Sequence, residues 1–465
     1  MMPKNMPDMR KIILESPSGK GEEWLSREQD IEWAGSVFER PAENSHLKPL
    51  NLERKEDPEM FIKKFQELSK NRAFVNYMES CTHCGICIDK CHYFIATGDV
   101  NNSPVGRAEL ARKMYKKKKR LKPKDVNLKK LYAYYYQCTE CRRCSNFCPQ
   151  GIDQAEITRT VRSALTEIGY MPDYQAATMS QVVRTGNNMG LNTKSIGSVV
   201  DFVKGEMQDE TGKEIDIPLD RKKADFLLIP SSADLYVNLD TLKGYAKVMH
   251  VLKKDWTIST TAAEAANFGL FASEDYLRKF GDHVVDEAVN HGSKVVVWGE
   301  CGHGWRAASN YVRYQLAEKG IQLIHVHQMT EAAMRRGDIK VDKNKNDDLY
   351  NYHDPCNLAR GGNLVNEPRE ILSSVVRETV EAEYSKAETF CCGAGAGLLG
   401  DEKQWNDMRA WAGWPAAYYA WKTGASHMVS PCAIDKAQFP FVFSYHKVNM
   451  QTHGLMDLVG YAIEL

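Results

Sequence analysis

The sequence lacks any apolar run of the ~18 residues that a membrane-crossing helix needs; stretches such as Ala224–Pro230 and Lys294–Trp298 are strand-sized. It lacks an excess of charge, with 61 Lys plus Arg against 61 Asp plus Glu, so nothing global draws it to nucleic acid or anionic lipid. The first residues, MMPKNMPDMRKIIL, carry neither an apolar export segment nor a small-residue cleavage site, which predicts a cytoplasmic protein. With 43% apolar and 26% charged residues among 465, the chain is no disordered tail and has length for about three domains at ~150 residues each.

What is present is thiol, and it is clustered. Eight of the thirteen cysteines fall between Cys81 and Cys148 and five between Cys301 and Cys432, whereas a disulfide framework would spread them. Cys81, Cys84, Cys87 and Cys91 obey C-x2-C-x2-C-x3-C, and so do Cys138, Cys141, Cys144 and Cys148, the last followed by Pro149. That spacing places three thiolates around a cubane and sends the fourth to a partner cluster. It predicts two [4Fe-4S] clusters with crossed ligation: Cys81, Cys84, Cys87 and Cys148 on one, and Cys138, Cys141, Cys144 and Cys91 on the other. Two zinc sites would leave the third neighbouring thiol of each run unexplained. His92 stands where the pattern usually has proline.

Around these runs the chain divides unevenly. Residues 1–70 are polar and broken by Pro and Gly, which predicts an extension wrapping another surface, with a helix around Pro58–Ser69. A two-cluster domain is expected over 71–165, where the long insert between the runs and the helical flanks resemble the all-helical two-cluster domain of fumarate and heterodisulfide reductases. A polar connector is expected over 166–222, and from 223 to 465 short apolar strands alternating with amphipathic helices. Strand candidates are Ala224–Pro230, Lys294–Gly299, Ile321–His327 and Leu349–His353, and the alternation argues an α/β domain on a largely parallel sheet. The whole is an α+β multidomain protein. The basic stretch Arg107–Lys130, with Lys116–Lys119 and Arg120 at its centre, reads as a solvated face or as a docking patch for an acidic partner or membrane surface. Nucleic-acid binding has no stacking motif to support it.

The last five cysteines follow another rule. Cys391-Cys392-Gly393, preceded by Cys356 and followed by Cys432, is neither a zinc nor a ferredoxin spacing and suits a larger inorganic cluster. The 35-residue interval from Cys356 to Cys391, applied from Ser232, lands on Asn267, and GECGH at Gly299–His303 stands where SPC stands later, so two internal repeats are expected, one stripped of most thiols. Gly395, Gly397 and Gly400 match G-x-G-x-x-G, yet they follow a cysteine pair instead of a strand and no acidic residue occurs from Met408 to Ile434, so no nucleotide cofactor is expected. His353 and His303 flank Cys356 and Cys301, placed to hydrogen-bond a sulfur or pass a proton, or simply satisfied by backbone. Tyr132, Tyr134, Tyr135 and Tyr136 read as packing groups.

The motifs YHDPCNLAR (Tyr352–Arg360) and CCGAGAGLLG (Cys391–Gly400) resemble the CCG domain of the heterodisulfide reductase (HdrD-like) family. With WTIST (Trp256–Thr260), GNNMG (Gly186–Gly190) and GECGHGWR (Gly299–Arg306), the chain from Phe74 onward is similar to the DsrK/TmcB branch of that family. The resemblance implies a third, noncubane [4Fe-4S] cluster on Cys356, Cys391, Cys392 and Cys432. Val429 replaces the first cysteine of the family's final C-x-x-C, which leaves Cys301 as the candidate fifth ligand, unless it is an inert small hydrophobe. It further implies a cytoplasmic subunit attached to the inner face of the membrane through a cytochrome b or quinone-interacting (DsrM-like) partner and other subunits. Its implied substrate is a disulfide or trisulfide on a DsrC-like sulfur carrier protein. Two other readings are an electron-relay subunit of a quinone-linked glycolate, lactate or glycerol-3-phosphate oxidoreductase, and a zinc-holding scaffold.

Overall fold

The structure, a computed structural model, describes residues 9–27, 40–264, 266–400 and 403–465. The first half of the chain is helical, and its helices begin where capping chemistry dictates. Helix Pro58–Leu68 starts after Asp57, whose carboxylate accepts from the amides of Glu59 and Met60 at 2.8 and 3.1 Å, with Pro58 where a missing N–H costs nothing. Helix Pro104–Lys117 repeats the arrangement with Ser103, and helix Gln154–Glu167 is capped by Asp153. The latter buries Ile157, Val161, Ala164 and Leu165, a stripe at helical spacing. Helix Leu128–Tyr136 buries Tyr132, Tyr134, Tyr135 and Tyr136 together.

The connector is not a loop. Helices Asp173–Thr185 and Thr193–Thr211 occupy it, and the second buries only Ile196, Val200, Val203 and Met207. One narrow apolar stripe in a polar helix leaves the average composition polar, which hides the helix from a reading by composition.

Two four-stranded sheets follow, with every pairing parallel. The first holds β1 (Phe226–Ile229), β2 (Trp256–Ile258), β3 (Val295–Trp298) and β4 (Gln322–His325) in the order β2-β1-β3-β4. The second holds β5 (Leu349–Tyr352), β6 (Glu378–Val380), β7 (His427–Val429) and β8 (Gln451–His453) in the order β6-β5-β7-β8. β1 and β3 read FLLI and VVVW because helices cover both faces of a parallel sheet. The sequence alone picks out β1, β3, β4 and β5; β6 and β8, spelling ETV and QTH, are edge strands too short and polar to stand out. Beyond β4 the expected strand ends early, since a helix starts at Val326.

Helices Leu239–Val251 and Leu455–Ala462 join the sheets at a close crossing: a Cβ on Gly460 would stand 3.0 Å from Gly244 Cα. The described part of the N-terminal extension wraps its own chain. Trp24 donates to the carbonyl oxygen of Ala96 at 2.8 Å and stacks on Trp411 at 5.6 Å, while Trp414 donates to that of Ile12 at 2.7 Å. Trp24, Phe94, Tyr136, Phe390 and Trp411 therefore belong to one apolar core running through both cysteine-rich halves. Among the described residues no helix is long and apolar enough to cross a membrane.

Candidate redox centre

The eight N-terminal cysteines line two adjoining small cavities. Cys81, Cys84, Cys87 and Cys148 share one wall system, and Cys91, Cys138 and Cys141 share the other, with Cys144 touching both. The first loop turns through left-handed backbone at His83 (φ 56°) and Gly85 (φ 82°), the second at Glu140 (φ 53°) and Arg142 (φ 62°). Non-glycine residues hold such angles only where surroundings over-determine them. Here Glu140 is clamped by a fully buried ion pair with Arg162 at 3.3 Å. Buried Arg107 anchors the second cavity, donating to the carbonyl oxygen of Tyr134 at 2.8 Å with Nη1 3.9 Å from Cys91 Sγ. Burial works against its charge, but Cys138 and Cys91 hold its pKa above the ordinary value.

The last cysteines gather at the C-terminal ends of parallel strands, where ligands bind in open α/β sheets. Cys356 follows β5, Cys432 follows β7, and Cys391 and Cys392 come from the loop after β6. Cys391 is the hub. Hydrogen bonds from the thiols of Cys141, Cys356 and Cys392 pull its pKa well below the usual value, and the same contacts push those three up. The sulfurs of Cys391 and Cys141 and a ring nitrogen of His92 lie within 4.8 Å of one another. The second ferredoxin-type run thus touches the CCG pair directly. Cys432 faces Gly302, where a Cβ would stand 3.6 Å from its sulfur, and burial pushes its thiol up to about 12.

Both predicted histidines sit here, buried and neutral. His353 has Nε2 3.8 Å from Asp435 Oδ2, with burial lowering its pKa. His303 packs edge-on to Phe271 and against Gly395, and burial lowers it to about 4. Cys301 lies at the end of β3 and accepts from the Gly304 amide at 3.3 Å, with Asn267 Nδ2 at 3.8 Å. Its nearest titratable neighbours are Glu264, which accepts from Ser232, and Cys432 of the CCG half.

None of the thirteen cysteines forms a disulfide. Burial pushes Cys87 up to about 12 and Cys144 well above the usual value. Thiols buried face to face need a cationic partner to ionise, and iron supplies one, so the donor sets fit iron–sulfur clusters. Motif spacing misses the groups tying the two halves together. Arg360 donates to the carbonyl oxygens of Cys141, Ala387 and Thr389 at 2.9, 3.0 and 2.7 Å, Arg306 to that of Glu140 at 3.1 Å, and Arg143 to that of Glu388 at 2.8 Å. All three arginines stand within or close behind a cysteine motif, but a bond to a backbone carbonyl leaves no partner residue in the sequence to signal such a role.

Comparison with known proteins agrees with this chemistry. A 4Fe-4S dicluster domain model matches residues 77–152 and a cysteine-rich (CCG) domain model matches residues 350–438. The "Hdr-like menaquinol oxidoreductase iron-sulfur subunit 2" of Archaeoglobus fulgidus is 34% identical, over 94% of this chain and 89% of the relative. The corresponding protein of Archaeoglobus profundus is 34% identical over 88% and 83%. A component of the dihydromethanophenazine:CoB–CoM heterodisulfide reductase of Methanosarcina barkeri is 24% identical over 85% and 97%. With both cysteine constellations in place and similarity along nearly its whole length, the chain belongs to the heterodisulfide reductase-like (HdrD-like) family of iron–sulfur oxidoreductase subunits.

Proposed function

We propose that this chain is the peripheral iron–sulfur subunit of a quinol-linked membrane complex that reduces, or in reverse oxidises, a disulfide or trisulfide on a DsrC-like sulfur carrier protein. Partner subunits, one of them a cytochrome b or quinone-interacting protein, would hold it at the inner face of the cytoplasmic membrane. The relatives' names support the quinol link and the disulfide chemistry. The observation that carries the reading is the meeting of Cys141, from the ferredoxin-type half, with Cys391, from the CCG half, inside one buried site.

In this reading the chain divides at 71–165, 166–222 and 223–465, and Cys81, Cys84, Cys87 and Cys148 hold one cubane while Cys91, Cys138, Cys141 and Cys144 hold the second. Cys356, Cys391, Cys392 and Cys432 hold a third, noncubane cluster, with Cys301 beside it as fifth ligand. The equal strand order of the two sheets supports the two repeats, as does the position of Cys301 and Cys432, each three residues past the end of β3 and β7. When bound, the clusters supply single electrons in succession, which S–S cleavage needs as a pair. The balance is RS–SR′ plus two electrons and two protons giving RSH and R′SH. His353 and His303, neutral and against the site, would orient the sulfurs and relay protons, one ring nitrogen receiving as the other gives, while Arg306, Arg360 and Arg143 keep the two halves in register.

Anaerobic purification tests it. The protein should hold about twelve irons, four per cluster, and Cys391→Ser/Cys392→Ser should remove about a third of them and abolish disulfide turnover while both ferredoxin-type signals persist. Full turnover in that double variant would leave only an electron relay.

A further inference from the structure

Thr139 sits inside the second run, in the sequence Cys138-Thr139-Glu140-Cys141. Its side chain turns toward the CCG loop. Oγ1 lies 3.3 Å from Cys391 Sγ on one side and 3.2 Å from His92 Nε2 on the other. Thr139, Cys391 and His92 are 1%, 1% and 2% exposed, so no bulk water competes for these contacts. The backbone of Thr139 also hydrogen-bonds the ring of His303. One residue thus links the first run, the second run and the CCG pair.

The chemistry of a hydroxyl orders the chain. Threonine has one hydrogen to give and two lone pairs to receive. As a ligand of the proposed cluster Cys391 would be a thiolate, and a thiolate can only accept. The Thr139 hydroxyl therefore donates to Cys391 Sγ, and its lone pair is left for the Nε2–H of His92. This also accounts for the residue after Cys91. Proline, usual at that position, has no side-chain donor, and a histidine there reaches the hydroxyl.

We propose that His92–Thr139–Cys391 is a positioning relay that delivers a hydrogen bond into the sulfur of Cys391 and so sets the reduction potential of the third centre above that of the same cluster without it. Hydrogen bonds to cluster sulfurs are among the determinants of such potentials, because a reduced cluster puts more negative charge on its sulfurs and gains more from a donor. The inference rests on the proposed assignment of Cys391 to a third cluster.

Reduction potentials followed by electron paramagnetic resonance in the anaerobically purified protein test it, with iron counted in each variant. Thr139→Val removes the hydroxyl at nearly constant shape. It should make the third centre harder to reduce, with a change in its reduction equilibrium of up to about tenfold, or about 59 mV for a one-electron couple. Thr139→Ser should restore both potential and iron content. His92→Phe should move the potential in the same direction by less, because Thr139 keeps its own hydrogen, and the ferredoxin-type signals should move less than the third. An unchanged third potential in Thr139→Val, equal shifts of all three centres, or failure of serine to restore the wild-type value would each overturn the relay alone. A wild-type protein without a third centre would overturn the functional reading and the relay with it.

Discussion

Arg360 donates through Nε to the carbonyl oxygen of Cys141 at 2.9 Å, so the segment after Cys356 is bound to the middle of the second ferredoxin-type run. The same guanidinium holds Ala387 and Thr389, just ahead of the Cys391–Cys392 pair. Arg360→Met should leave the carbonyls of Cys141 and Thr389 short of donors, at about 1–3 kcal/mol for each such acceptor left unpaired away from water, while solvent can replace the donor to exposed Ala387. Denaturant unfolding should show the loss, and Arg360→Lys, which keeps the charge but not the planar fork, should recover only part of it.

The crossed arrangement of the first two clusters has its own test. Cys148 shares a cavity with Cys81, Cys84 and Cys87, and Cys91 shares one with Cys138 and Cys141. Cys148→Ser should damage the cluster on Cys81, Cys84 and Cys87. Spectroscopic loss confined to the Cys138–Cys144 cluster would show the ligation to be uncrossed.

Acid sensitivity should have a source outside the proposed cluster ligands. His446 is buried between Trp411 and Trp414, hydrogen-bonds Ser16 Oγ at 2.7 Å, and has its pKa lowered by burial from 6.5 to about 3. Between those values the unfolded chain binds a proton that the folded chain refuses, so stability is full above about pH 6.5 and falls as pH drops toward 3. His446→Gln should flatten that slope between about pH 6 and about pH 4, measured by thermal unfolding. A slope as steep as that of the wild type would place the acid-labile group elsewhere.

Lys116–Lys119 lie exposed at the end of helix Pro104–Lys117, with Lys117 bridging Asp125 at 2.5 Å. The same helix sends Arg112 to the carbonyl oxygen of Cys81 at 3.2 Å, beside the exposed Cys84. If this face docks an acidic partner, replacing all four lysines by glutamine should weaken complex assembly and reduce its salt dependence. Assembly unchanged at low ionic strength would mark the stretch as a solvated face.

Much of this protein is legible without coordinates, for a definite reason. Cluster ligation is local: C-x2-C-x2-C places three thiols within one tight loop, and the residues from Cys81 to Cys87 and from Cys138 to Cys144 fall at that spacing whatever the rest of the chain does. Strands buried on both faces are equally plain, since β1 and β3 are unbroken apolar runs. The edge strands β6 and β8 and the helix Thr193–Thr211 are not, because an element that buries one stripe or one edge keeps a polar composition.

The sequence by itself determined which thiols exist, which of them can share a loop, and that α/β structure with parallel strands follows a cysteine-rich region. Tertiary structure alone decided that Cys141 meets Cys391 across 250 residues (the difference of their numbers), that Thr139 and His92 reach the CCG pair, that Cys301 turns toward Asn267, and that Trp24 pins the N-terminal segment to Trp411. These are contacts between side chains brought together by packing and by arginine-to-carbonyl bonds. Such bonds end on the backbone, which every residue possesses, so they leave no complementary residue in the sequence to be read.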